Sequence, residues 1–134
     1  MEENILQFQF GITMEHSNKL DAIAKQKGWS RKKTAVSLIQ DILDYMPPCA
    51  IENWNFPSEK SAEKYLGFFK GGDFVENIDS FVEEGGYPWT RRSVARKALE
   101  VGIDLYHDNQ IEKKAGPIII DEKVLRSLVA GTAA

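Results

Sequence analysis

Residues 29–46 read WSRKKTAVSLIQDILDYM. Ser30 supplies the short side-chain oxygen that caps a helix start. Ala35, Leu38, Ile39, Ile42 and Leu43 recur at the three- and four-residue spacing of one helical face. Pro47 and Pro48 stop the helix. The same pattern returns at residues 89–106, WTRRSVARKALEVGIDLY. Aligned without gaps, Trp29 meets Trp89, Ser30 meets Thr90, Arg31 meets Arg91, Lys32 meets Arg92, Ala35 meets Ala95 and Asp44 meets Asp104. Two copies of one small unit share the chain, and such a repeat governs how every other segment is read.

Upstream of the first copy, Leu6, Phe8, Phe10 and Ile12 alternate with Gln7, Gln9 and Gly11. Strict period two predicts a half-buried strand, with one face apolar and the other carrying two amides. Thr13 or Ser17 can cap a following helix, whose inward positions are Leu20, Ile23, Ala24 and the stem of Lys27. Gly28 ends that helix. The order is strand, helix, tight turn, helix, and the lone strand needs a partner. Residues 65–70, YLGFFK, occupy the equivalent place in the second unit. Ala62, Tyr65, Leu66 and Phe69 also fit a helix face, but the repeat predicts strand and Gly67 weakens a helix. Gly71, Gly72 and Asp73 make a turn, with Asp73 as the expected cap. A helix follows with Phe74, Ile78, Phe81 and Val82 inward, and Gly85 and Gly86 end it. Tyr87-Pro88 is an insertion relative to the first copy. Thr90 then caps a helix burying Val94, Ala95, Ala98, Leu99 and Ile103.

The expected organisation is a first unit over residues 1–46, a connector over 47–63, a second unit over 64–108 and a tail over 109–134. Residues 1–4 read as a disordered start. Pro47, Pro48 and Pro57 argue against regular structure in the connector, while Trp54 and Phe56 suggest that it packs on the surface. The tail reads as a short apolar strand, Ile118, Ile119 and Ile120, followed by a short helix.

In a chain of 134 residues, each unit is near the size at which a lone domain is marginal, so the two should share one core. Cys49 stands alone, which excludes an internal disulfide and a cysteine-based metal cluster, and it reads as a small apolar side chain. Neither a long apolar run nor a signal-peptide pattern is present, so a soluble, cytoplasmic protein without a membrane partner is expected. His16 and His107 have no acid or thiol at ligand spacing, and no phosphate loop, GxSxG, HExxH or CxxC occurs. Nothing points to an enzyme or to a cofactor.

A binding argument remains. The net charge of −3 speaks against nucleic acid, but its distribution speaks for it. Arg31, Lys32 and Lys33 crowd one helix start, and Arg91, Arg92, Arg96 and Lys97 crowd the other, with no acid among them. Cations in a first turn oppose the helix dipole unless an anion meets them, and a helix start is itself an anion site. A solvated basic helix end is the ordinary reading of one such cluster; its repetition favours phosphate. Two paired strands form a ribbon that fits the major groove, and glutamine matches an adenine edge.

These residues, LQFQFGI, the Leu20/Ile23/Ala24 helix and GWS before the second helix, resemble the ribbon-helix-helix family of DNA-binding proteins, the group of the Arc and MetJ repressors. The two-copy arrangement is similar to its single-chain, TraY-like form. The resemblance implies a mostly α fold with a short antiparallel β-ribbon, a tandem ribbon-helix-helix pseudo-dimer in which strand 6–12 pairs with strand 65–70. It implies base reading by Gln7 and Gln9, with Gly11 at the third position; on the second strand Tyr65, Gly67 and Phe69 fall at the reading positions, Tyr65 able to donate one bond, with Lys64 or Lys70 serving instead if the register differs. Backbone contacts fall to Ser30, Arg31, Lys32, Lys33, Thr90, Arg91 and Arg92. The implied partner is double-stranded DNA, bound by a monomeric pseudo-dimer or a homo-oligomer acting as a repressor or a plasmid-transfer accessory factor. The alternative is a protein-interaction module, an antitoxin or adaptor, with little DNA affinity.

Overall fold

A computed structural model describes residues 5–55 and 62–108. The start at residues 1–4, Phe56 and Pro57 of the connector, and the whole tail over 109–134 lie outside the described residues. The first unit is β1 (Leu6–Ile12), α1 (Met14–Lys27) and α2 (Arg31–Tyr45). The second is β2 (Lys64–Lys70), α3 (Asp73–Gly85) and α4 (Arg91–Asp108). The protein is two β-α-α units, mostly helical, joined through one antiparallel two-stranded sheet.

The register pairs Leu6 with Lys70, Phe8 with Phe68, Phe10 with Leu66 and Ile12 with Lys64. Phe8, Phe10, Leu66 and Phe68 share the buried face. Residues 65–70 are therefore strand, and the helical reading of Ala62, Tyr65, Leu66 and Phe69 fails. Pairing with β1 satisfies the backbone of this segment and buries alternate residues, which outweighs its helical spacing. The Glu63 N–H extends the ribbon by donating to the Ile12 carbonyl at 2.9 Å.

Neither unit holds a complete core of its own. The Phe8 ring stacks on Phe68 with centroids 5.4 Å apart and meets Phe74 edge-on at 5.4 Å. Each second helix also packs on the strand of the other unit, α4 on β1 and α2 on β2. Between α2 and α4 the approach is close at Gly102. A methyl group there would lie 3.2 Å from Leu38 Cβ and 3.3 Å from the Leu38 carbonyl oxygen. The residue equivalent to Gly102 in the first unit is Ile42, so the interface sets a small residue against large ones.

Thr13 caps α1, its hydroxyl accepting from the His16 N–H at 3.1 Å. Gly28 ends that helix in the left-handed region, with φ 69°. Asp73 is not the cap of α3: the cap is Gly72, and Asp73 lies in the first turn, where its charge suits the helix dipole. The connector holds a short 3-10 helix, Pro48–Asn53, where irregular chain was expected. Proline is tolerated in a first turn because its missing N–H is one the helix would not use. Trp54 then stacks on Phe81 with centroids 5.5 Å apart, as its surface-packing role requires. Cys49 is exposed in that helix rather than part of the core.

His16, read as a lone histidine, has a distant partner. Its Nε2 lies 3.0 Å from Asp104 Oδ1 and Lys19 Nζ lies 3.5 Å from the same oxygen, tying α1 to α4. The hydrogen bond to Asp104 holds the His16 pKa above its ordinary value against the opposing effect of burial. Burial pushes the Asp104 carboxyl up, but the His16 hydrogen bond and the His16 and Lys19 charges bring it below the usual carboxylate range.

Asp41 is the opposite case. Its Oδ2 is buried with no hydrogen-bond partner among the described residues. Burial, with the Asp44 charge added, pushes its carboxyl up to about 7. A folded pKa above the unfolded one means stability is lost as pH rises from the unfolded carboxylate range through about 7. Asp41→Asn should therefore stabilise the fold at pH 8 and match the wild type near pH 4.5. Solvent screening at this half-buried position holds the gain to about 1 kcal/mol. Urea midpoints at the two pH values check it; equal midpoints for both proteins at pH 8 would contradict it.

Candidate functional site

The outer face of the ribbon is built by the register. Gln7 stands opposite Phe69, Gln9 opposite Gly67 and Gly11 opposite Tyr65. Gln7 and Gln9 are exposed, and neither amide has a hydrogen-bond partner among the described residues. Gly11 is buried: Tyr65 Cε1 and Ala62 Cβ crowd the place a side chain would take. Tyr65 is the group presented at that end. Lys70 belongs to the other face by strand alternation, and its ammonium lies 5.8 Å from the Phe74 ring centroid. Phe69 holds the outer reading position that the offset between the strands predicts, and Lys70, the alternative in another register, does not. A shift of one residue along a strand exchanges its faces, which is why the strand pattern alone left both open.

The two basic helix starts flank this face. A groove of about 440 Å³ runs along β1 and is lined by Gln7, Gln9, Tyr65, Arg91 and Arg92. A second, of about 390 Å³, lies by β2 and includes Ser30, Lys32, Lys33 and Phe69. Each groove thus joins a strand of one unit to the second helix of the other. Ser30 caps α2, accepting from the Lys33 N–H at 3.0 Å. Thr90 and Ser93 cap α4 reciprocally: the Ser93 N–H donates to Thr90 Oγ1 at 3.2 Å and the Thr90 N–H to Ser93 Oγ at 2.8 Å.

The first arginine of each cluster pairs with an acid of the preceding helix. Arg31 donates to Ser17 Oγ at 2.6 Å and lies 3.5 Å from Asp21. Arg91 makes a two-pronged contact with Asp79, at 2.6 and 3.0 Å. These hydrogen bonds raise the Arg91 pKa further, so its charge is fixed. Asp21 and Asp79 hold equivalent places on α1 and α3, so the latch is repeated like the helices. Arg96 is 1% exposed and its Nε donates to Glu100 at 3.2 Å, so it adds nothing to the surface charge. Lys97 lies 3.9 Å from the same carboxylate. The acids missing from the basic clusters in sequence are supplied by neighbouring turns and helices. Lys32 and Lys33 are exposed, the latter with its ammonium 4.6 Å from the Trp29 ring centroid. Arg92 lines the β1 groove.

No family model, curated protein or solved structure matches this chain. Its fold and surface therefore carry the functional argument. Among the described residues, no group of histidine, cysteine and carboxylate side chains could hold a metal ion, and no helix is long and apolar enough to cross a membrane.

Proposed function

We propose that the chain binds duplex DNA, laying the β-ribbon in the major groove in the manner of ribbon-helix-helix proteins. One observation carries this reading: two exposed amides, without hydrogen-bond partners among the described residues, stand on a two-stranded ribbon whose two sides are flanked by basic helix starts. Gln7 and Gln9 meet base edges, where glutamine pairs best with adenine. Lys32, Lys33 and Arg92 meet phosphates, and the capped starts of α2 and α4 turn their first N–H groups to the same anions. The faces of β1 and β2 differ, so one chain recognises an asymmetric site, where identical strands would recognise a palindrome. Sequence-directed binding of this kind suits a repressor or a transfer accessory factor.

Fragments selected from random duplexes provide the test. Affinity should fall linearly with the logarithm of salt concentration. Gln9→Ala should cost about 1–3 kcal/mol on the selected site and relax base preference there. Unchanged preference would remove Gln9 from the reading role. The rival is a protein-interaction module, favoured by the exposed Tyr65 and Phe69 rings and the net negative charge. Absent or salt-independent duplex binding would favour that module.

A further inference from the structure

Among the described phenylalanines, Phe69 is the one left exposed. Phe8, Phe10, Phe68, Phe74 and Phe81 are at most 3% exposed, whereas Phe69 is 63% exposed. A single exposed apolar ring is ordinary on a protein surface; what gives Phe69 a role is its place on the ribbon. Phe69 sits on the outer face directly opposite Gln7, so an apolar ring and an amide form one cross-strand pair. The groove beside it carries Lys32, Lys33 and the capped start of α2, which suit a polyanion rather than an apolar peptide.

Among base edges in the major groove, the C5 methyl of thymine is the apolar group, and the adenine paired with it offers the N6 and N7 pattern that glutamine fits. An A·T pair thus presents the two chemistries that Phe69 and Gln7 present, side by side. We propose that this end of the ribbon reads thymine methyl groups, Phe69 packing on the methyl while Gln7 bonds the adenine edge. The inference rests on the ribbon entering the major groove and adds the chemistry of one half-site. The opposite end has Gly11 and Tyr65 in the equivalent pair, so the A·T requirement belongs to one side of the site only.

Deoxyuridine substitution tests it, because uracil lacks the methyl but keeps the pairing and the hydrogen-bonding edge. In the selected duplex, thymines are replaced one at a time and binding is followed by anisotropy. Replacement at one or two positions, all in one half-site, should weaken binding about fourfold, the effect of burying one methyl group. Phe69→Ala should lose the same factor on the thymine duplex and become indifferent to uracil there. Phe69→Leu should keep part of the sensitivity. Circular dichroism of both variants confirms folding, which an exposed site should leave intact. If sequence-preferring, salt-dependent binding persists but no uracil position matters, the methyl reader is overturned and DNA reading stands. If Phe69→Ala changes the oligomeric state instead, a second copy of the chain covers the ring and the inference is likewise overturned. If no duplex is preferred at all, the base-reading function itself falls, and this inference with it.

Discussion

A Phe68→Ala variant should lose about 3–5 kcal/mol of stability, the cost of removing a fully packed phenylalanine. Phe68 lies on the inner face of the ribbon, 2% exposed. It stacks on Phe8 and meets Phe10 and Phe74 edge-on, at centroid separations of 6.2 and 5.8 Å. Phe8 and Phe10 come from one unit, Phe68 and Phe74 from the other. Truncation leaves a cavity where the halves join, and helices on both sides are held too firmly to fill it. Urea unfolding should therefore show one transition moved to much lower denaturant, with both units melting together. The neighbouring Phe69→Ala should change stability by about 0.5 kcal/mol or less, because that ring touches solvent. A cost below about 1 kcal/mol for Phe68→Ala would mean that the four rings do not hold the halves together.

Replacing Lys32, Lys33 and Arg92 together with glutamine should weaken binding to every duplex on the order of a hundredfold at low salt, from about 1 kcal/mol for each charge-assisted contact. The slope of log affinity against log salt should become shallower by about 2.7, since each lost phosphate contact removes about 0.9. Base preference should survive, because Gln7 and Gln9 are untouched. Arg31 and Arg91 are left out of this set for a structural reason. Each is committed to an acid of the preceding helix, Asp21 or Asp79, and losing it chiefly loosens the helix pair. Equal affinity and an unchanged slope in the triple variant would remove the helix starts from the interface.

The parts of this fold that were legible in sequence are those set by short-range pattern. Alternation marked Leu6–Ile12 as a strand, helical spacing picked out Leu20, Ile23, Leu38, Ile42, Ala98 and Leu99, and the caps Ser30 and Thr90 marked where α2 and α4 begin, while the start of α1 stayed open between Thr13 and Ser17. The repeat then supplied β2, whose own pattern was ambiguous. What stayed hidden depends on which residues meet across the fold. Asp104 is far from His16 along the chain, and nothing local announces their contact. Counting charges in the basic clusters could not tell that Arg96 is buried on Glu100 or that Arg91 faces Asp79. A useful signal was present at the latches: Asp21 and Asp79 sit at matching places in the repeat, as Arg31 and Arg91 do.

The close approach at Gly102 means that the two halves are not interchangeable. A pair of identical subunits would have to set Ile42 against its own copy, in a space where even a methyl group would press on Leu38 at 3.2 Å. Within one chain, each helix fits a neighbour unlike itself. The tether and the unequal fit act together: one chain supplies both sides of its central seam, each shaped for the other.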